Sequence, residues 1–479
     1  MKPRILIRAD GSSSIGLGHL VRCFALAQML ERNFEIVFYC KEIPSQTKSE
    51  LESKSFLVHG VNSELAFFSK IQASDIVVLD GYEFTLEDQN KIKSSGALLV
   101  SIDDLHDKKY LADLIINHCP GIKALDYDAL VQTQFALGTD YVLLRPAFIK
   151  SIGKRVSKSI PEALMICFGG ADSKNLTVNA LKLSLKEDWL KKIYVVSGSA
   201  YLFIEELKAL CETDNRVKHT HEADEETMLA TMMHSDIAIV PTSGILLEAL
   251  ATGCRVISGY FVDNHKFIYS NYKAIDSFID AGDFSDKLLS DALIIARNST
   301  EPKVPIFDGK SGDRINKLFL NLKVSKQIVL RAANESDIDQ TFQWASDPLI
   351  RAHSFSQHEI KATEHEQWFN KKVLEPTCLY FIAEKNELLI GSIRFDISSG
   401  NALISYLVDS SFHGLGYGQI LLRNGLIAMM ERIKELKLNV QYVSGMVFKS
   451  NIASLKAFQR LGFEITEENS KHITFRKSI

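Results

Sequence analysis

"RILIRADGSSSIGLGHLVRC", Arg4 to Cys23, sets a β-branched apolar run against a polar turn with two glycines, and that turn against an apolar segment of helical period. A strand that ends in a glycine turn and re-enters as a helix is the building unit of a parallel α/β sheet. The alternation continues through Ile36 to Tyr39, Ile76 to Asp80 and Leu98 to Ile102. After the polar, lysine-rich stretch Lys150 to Ser159 it restarts with Ala163 to Phe168, Ile193 to Val196, Ile237 to Val240 and Val256 to Ser258. Two doubly wound, Rossmann-like lobes, residues 1–150 and 151–323, account for this order, with one short helix from Asp313 to Leu322 closing the second.

The last 150 or so residues follow another rule. A strand from Ile328 and two helical segments, Asp337 to Ala345 and Ala362 to Val373, precede three consecutive strands within Leu379 to Val408. A glycine-rich loop, a long helix, and then strand, helix and strand complete the chain. Strands gathered ahead of a glycine loop predict an α+β domain over residues 327–479 rather than a third doubly wound lobe.

The chain has 479 residues, enough for two or three cores. A net charge of -4 gives no field to hold nucleic acid or an anionic membrane surface, so local sites must carry the function. Seven scattered cysteines without a C-x-x-C pair fit reduced thiols better than a disulfide framework or a zinc site. No long apolar segment opens the sequence, and a cytoplasmic protein that works on small molecules is the expectation.

The first turn is close to the dinucleotide fingerprint G-x-G-x-x-G. Gly16 and Gly18 fit, but Val21 stands at the third glycine and Cys40-Lys41 where the ribose-binding acid should end the next strand. NAD is therefore not expected. What remains is a turn at the carboxyl end of a strand, with His19 in the first turn of the helix. The positive end of that helix disfavours an imidazolium, which suits a general base; capping or packing is the alternative role. In the second lobe, "FGGADSKNLT" (Phe168 to Thr177) and "VPTSGILLEALATGC" (Val240 to Cys254) present backbone N–H groups suited to a diphosphate, and Glu248 is placed to accept from ribose hydroxyls. Asp263-Asn264-His265 follows the next strand and reads equally as a helix cap.

Together with the terminal "FDGKSGDR", these motifs resemble the UDP-sugar hydrolases of pseudaminic acid biosynthesis over about residues 1–323. That family is similar to the two-lobed GT-B glycosyltransferases but releases UDP to water. The resemblance implies UDP-2,4-diacetamido-2,4,6-trideoxy-β-L-altropyranose as substrate, hydrolysed with inversion and without metal. It implies His19 as the base, with Asp10 and Asn264 assisting. Gly16, Gly18, Arg22, Gly169, Gly170, Ser243, Gly244, Glu248 and Asp263 would hold the substrate. Where the family continues Asp-Asn with Gln, this chain has His265.

In the last domain, Gly414, Gly416 and Gly418 lie in one loop, and "VFKSNIASLKAFQRLGFE" (Val447 to Glu464) resembles the late helix of the GNAT acetyltransferases. The family's loop pattern matches His413 to Gly418 with His in its first place. The resemblance implies acetyl-CoA, its diphosphate on the amides of Leu415, Gly416, Tyr417, Gly418 and Gln419, with Asn451 opening the late helix and pantetheine along Ile404 to Val408. Phe458 stands where the family often has a tyrosine acid, leaving that role to Tyr406 or to water. Arg351 and "HEQW" (His365 to Trp368) resemble the substrate side of nucleotide-sugar N-acetyltransferases, although Trp368 by itself reads as a core anchor. The two halves together predict a bifunctional enzyme. A GT-B glycosyltransferase carrying a non-catalytic acyl-CoA-binding module is the alternative.

Overall fold

The computed structural model describes residues 2–12, 16–156, 160–262, 265–299, 305–356 and 358–479. The chain divides into two compact units. The first comprises Met1–His106, Ile116–Ile122 and Ala136–Asn316, and the second Asp107–Ile115, Lys123–Phe135 and Lys317–Ile479.

Two parallel sheets give the first unit its frame. In one, five parallel strands run in the order Leu57–Gly60, Glu35–Cys40, Arg4–Ala9, Ile76–Asp80, Leu98–Ile102. The other runs Val217–His221, Lys192–Ser197, Ala163–Ile166, Ile237–Pro241, Arg255–Gly259, Ile279–Asp280. Counted from its first strand this order is 3-2-1-4-5-6, a doubly wound arrangement in which ligands bind outside the carboxyl ends of the strands where the order reverses. The central strands are buried along their whole length and mostly apolar, as sheets covered on both faces require, with Asp80 and Ser101 as polar exceptions near the carboxyl ends.

The edge strands Leu57–Gly60 and Val217–His221 are absent from the sequence expectation. Neither contains a buried residue or a continuous apolar run, so only their neighbours' unpaired backbone reveals them. The expected linker is also more firmly held than its composition suggests. Arg155 donates to the carbonyls of Met232, Ser235 and Thr252, although residues 157–159 lie outside the described ones. The closing helix is longer than predicted, Ser311–Ser325.

The second unit carries a mostly antiparallel sheet in the order Val329–Ala332, Cys378–Lys385, Leu388–Ser398, Asn401–Val408, Tyr442–Phe448, His472–Ser478, Glu464–Glu468. The one final strand expected after the late helix is thus a pair, of which Glu464–Glu468 is fully exposed and without an apolar face. The parallel neighbours Asn401–Val408 and Tyr442–Phe448 pair only at Asn401, Ala402 and Leu403. Beyond Leu403 they part, and the helix Tyr417–Glu435 packs on the sheet beside the opening.

Around the parted strands the core is aromatic. Phe458 is fully buried, stacked on Phe475 at 5.1 Å and edge-on to Phe463 at 4.8 Å. Its ring occupies the space of the side chain that Gly445 lacks: a Cβ there would stand 2.5 Å from Phe458 Cζ. Trp344 and Phe369 anchor the neighbouring cluster. Trp368 does not; it is 36% exposed, with the Arg394 guanidinium 4.8 Å above its ring, which corrects its reading as a core anchor. Gly445→Ala should therefore destabilise the second unit by about 1–3 kcal/mol through overpacking, measured as a lowered midpoint of urea unfolding.

Candidate functional site

Helix Gly18–Leu30 buries His19, Cys23, Phe24, Ala27 and Leu30 against the sheet, so His19 turns inward at the helix start. Leu17 gives this helix no side-chain cap and its first turn contains no acid. The adjoining strand is Ile76–Asp80, with Asp80 in register opposite Ala9. That pairing delivers the Asp80 carboxylate to His19: Nδ1 and Oδ1 are 2.7 Å apart and Asp80 is fully buried. A contact of that length to a carboxylate puts a proton on Nδ1, so that in the neutral ring Nε2 is the nitrogen with the lone pair.

Asp80 is itself clamped. Arg22, one turn along the same helix, donates from Nε and Nη2 to both its oxygens at 2.6 Å, while Nη1 reaches both oxygens of Asp104 at 2.6 and 2.7 Å. Tyr82 Oη donates to Asp104 at 3.1 Å and its ring meets His19 edge-on at 4.9 Å. Burial works to raise the Asp80 carboxyl, but the attraction of Arg22 and His19 outweighs it and holds Asp80 well below the usual carboxylate range. Asp104 is held down in the same way by Arg22 against its burial. His118, buried nearby with an unpartnered Nδ1, is pushed down to about 4 by burial and by Arg22.

Asp80, Asp104 and Tyr82 escaped the sequence reading. Their signal was present, since Asp80-Gly81-Tyr82 and Asp103-Asp104 each follow a strand. What was missing was the sheet order, which makes the fourth strand, not the second, a neighbour of the first on this side.

The two glycine turns of the first unit approach one another. Leu17, between Gly16 and Gly18, lies 3.5 Å from the Cβ position of Gly170. Gly16 and Gly169 both have φ of +86°, where a side chain would be strained, and Cβ positions on Gly16, Gly18, Gly169 and Gly244 meet no described atom within 4 Å. Ser243 caps helix Gly244–Thr252 without a side-chain bond, leaving its N-terminal amides open. Glu248 is buried and paired with Arg145 at 2.7 Å, so that one oxygen is already engaged. Burial raises its carboxyl while Arg145 opposes this.

Other expected residues sit differently. Asp10 accepts from the amides of Lys41 and Glu42 and pairs with Arg8 at 2.8 Å, which ties it to the chain turn after the second strand. Arg22 is directed to the two carboxylates rather than to open space. Asp263 and Asn264 lie outside the described residues. His265 packs edge-on to Phe261, and burial takes it down to about 4. Among the described residues no three His, Cys, Asp or Glu side chains group as metal ligands, and no helix is long and apolar enough to cross a membrane. All seven cysteines are free.

In the second unit, Gly414 and Gly416 have φ of +77° and +88°, and Gly416 caps helix Tyr417–Glu435 without a side-chain bond or a first-turn acid. Leu415 is exposed, and Gln419 is buried with Arg460 donating to its Oε1. On the wall of the opened strands, Tyr406 Oη lies 2.8 Å from Ser454 Oγ, and Asn451 Oδ1 accepts from the Ser454 amide at the start of the late helix. Burial pushes the Tyr406 phenol up to about 12. His413 donates from Nε2 to the Val408 carbonyl at the strand end, 2.9 Å away. Arg351 donates to the carbonyls of Ser356 and His358, and His365 bonds Thr341.

With this geometry described, known proteins match separate parts of the chain and, in one case, nearly its whole length. The family profile of the Acetyltransferase (GNAT) domain matches residues 327–464, so the chain carries a GNAT domain at its C-terminal side. An uncharacterized protein of Methanocaldococcus jannaschii is 24% identical over 98% of both chains. The UDP-2,4-diacetamido-2,4,6-trideoxy-beta-L-altropyranose hydrolase of Campylobacter jejuni is 26% identical over 55% of this chain and 93% of its own. The acetyltransferase PseH of Campylobacter jejuni is 26% identical over 30% of this chain and 89% of its own.

The clamp makes a stability prediction with a definite sign. The depressed folded-state values of Asp80 and Asp104 contribute stability that is complete above their unfolded values of about 4 and is lost as pH falls through the folded ones. Arg22→Met leaves buried carboxylates without their cation, at a cost of about 3–5 kcal/mol at pH 7. Because protonation removes the uncompensated charge, the gap from wild type should narrow as pH falls toward 4, read from chemical denaturation at several pH values.

Proposed function

We propose that the chain joins two consecutive enzymes of nucleotide-sugar metabolism. Residues 1–323, two Rossmann-like lobes of GT-B type, hydrolyse UDP-2,4-diacetamido-2,4,6-trideoxy-β-L-altropyranose to UDP and the free sugar. Residues 327–479 acetylate the 4-amino group of the UDP-linked precursor. The observation that carries this reading is that the two parts of one chain align separately with a hydrolase and an acetyltransferase of one organism. The oriented His19 and the open glycine loop of the GNAT domain supply the matching chemistry.

In the first reaction His19 Nε2 takes a proton from water as its oxygen bonds to the anomeric carbon. The bond from that carbon to the UDP oxygen breaks on the opposite face, which inverts the centre. Asp80 stabilises the imidazolium formed on His19, as a buried carboxylate does in other His–Asp pairs. Charge developing on the departing diphosphate is met by the backbone donors at Gly169-Gly170 and at the start of helix Gly244–Thr252. UDP is a good leaving group, so this scheme calls on no metal. Arg22 acts here by fixing Asp80, and Glu248 retains one oxygen for the ribose.

Acetyl-CoA supplies the acetyl group of the second reaction as a thioester. The open amides after Gly416 suit its diphosphate, and the parted strands suit its pantetheine arm. As the 4-amino nitrogen bonds to the thioester carbon and the carbon–sulfur bond breaks, Tyr406, kept protonated and bonded to Ser454, donates a proton to the leaving thiolate, the role that Phe458 leaves vacant. The proton lost by the amine passes to water.

Three substitutions test the two sites. His19→Ala should lower UDP release by about 10²–10⁴-fold and leave acetylation intact, whereas Gly416→Trp should do the reverse. Loss of both activities in either variant counts against two independent sites. Tyr406→Phe should cut kcat for acetylation by about tenfold or more with little change in KM, measured by thiol release. Incubation with the UDP-sugar and no acceptor should yield equal amounts of UDP and free sugar. UDP formed only when an acceptor is added would instead identify a glycosyltransferase.

A further inference from the structure

The wall of the glycine loop in the second unit includes a residue from before the GNAT domain. Asn321 belongs to helix Ser311–Ser325, ahead of the matched segment 327–464. Its Oδ1, Nδ2 and Cγ stand 2.8, 2.9 and 3.2 Å from the position a Cβ on Gly416 would take. Asn321 is 5% exposed, and its Nδ2 has no hydrogen-bond partner among the described residues. A buried amide donor left unsatisfied is costly, and such groups are rare unless something else binds them.

The helix start beside that donor suits an anion. Gly416 caps a helix of 19 residues whose first-turn amides receive no side-chain cap and whose first turn contains no acid. Lys385 Nζ donates to Tyr417 Oη at 3.0 Å, and Arg460 donates to Gln419, which places two cations beside the first turn. The chemistry missing from this cluster is an acceptor with several oxygens.

We propose that Asn321 is a diphosphate-binding residue of the acetyltransferase: its Nδ2 donates to an oxygen of the CoA diphosphate lying on the amides of residues 415–419. The GNAT domain would then take part of its cosubstrate site from the helix that connects it to the preceding lobes. An amide serves here because it donates without adding charge, next to a helix end that already supplies it. The inference rests on the acetyl-CoA reading given above.

The test uses the full chain, with CoA binding measured by titration calorimetry and turnover measured on acetyl-CoA and on acetyl-pantetheine, which lacks the diphosphate. Asn321→Ala should weaken CoA binding and raise KM for acetyl-CoA by about tenfold with kcat near wild type. Asn321→Asp, nearly isosteric and therefore gentle on packing, should weaken CoA further because a carboxylate would face phosphate. Neither variant should change kcat/KM for acetyl-pantetheine. Unchanged CoA affinity in both variants, or equal losses on the two acetyl donors, would overturn the inference and leave Asn321 as a packing residue. Failure of wild type to bind CoA would instead overturn the reading on which it rests.

Discussion

The first unit depends on a single buried charge arrangement, in which one arginine holds two carboxylates and one of these holds a histidine. Arg22 makes four hydrogen bonds of 2.6 to 2.7 Å to Asp80 and Asp104, which come from the ends of two neighbouring strands. Buried charges of this kind add little net stability compared with a well-packed apolar substitute, but breaking the set is severe. Its return is geometric. With Asp80 fixed from one side, His19 can present only one nitrogen to the open end of the sheet.

Burial and charge act against each other throughout this site, and the winner differs by residue. At Asp80 and Asp104 the guanidinium overcomes desolvation and the carboxylates stay ionised. At Glu248 desolvation is the larger influence and the carboxyl moves up despite Arg145. His118 and His265 have no compensating anion strong enough, and both stay neutral near pH 7.

The second unit solves a different problem, that of admitting a long flexible cosubstrate into a closed sheet. Two parallel strands separate after three paired residues, and the freed edge is lined by Tyr406 and the start of the late helix. Phe458 fills the core behind this opening because Gly445 leaves it room. The Phe458 ring is buried among Phe463 and Phe475, while the Tyr406 hydroxyl bonds Ser454.

Local pattern determined much of this protein. Apolar runs marked the central strands, glycine turns marked their carboxyl ends, and the change in element order near Ile328 marked the GNAT domain, because each signal lies within a dozen residues of chain. Exposed edge strands such as Leu57–Gly60 stayed hidden, since their pairing depends on neighbours rather than on their own composition. Sequence also named His19 and Gly416, which carry their geometry locally, in a helix start and a positive φ. It could not supply their partners. Asp80 lies 61 residues from His19, and Asn321 lies ahead of the segment that defines the GNAT domain. Only strand order and helix packing bring such residues together, and the long-range electrostatics and the unsatisfied amide at the second site exist only once that packing is formed.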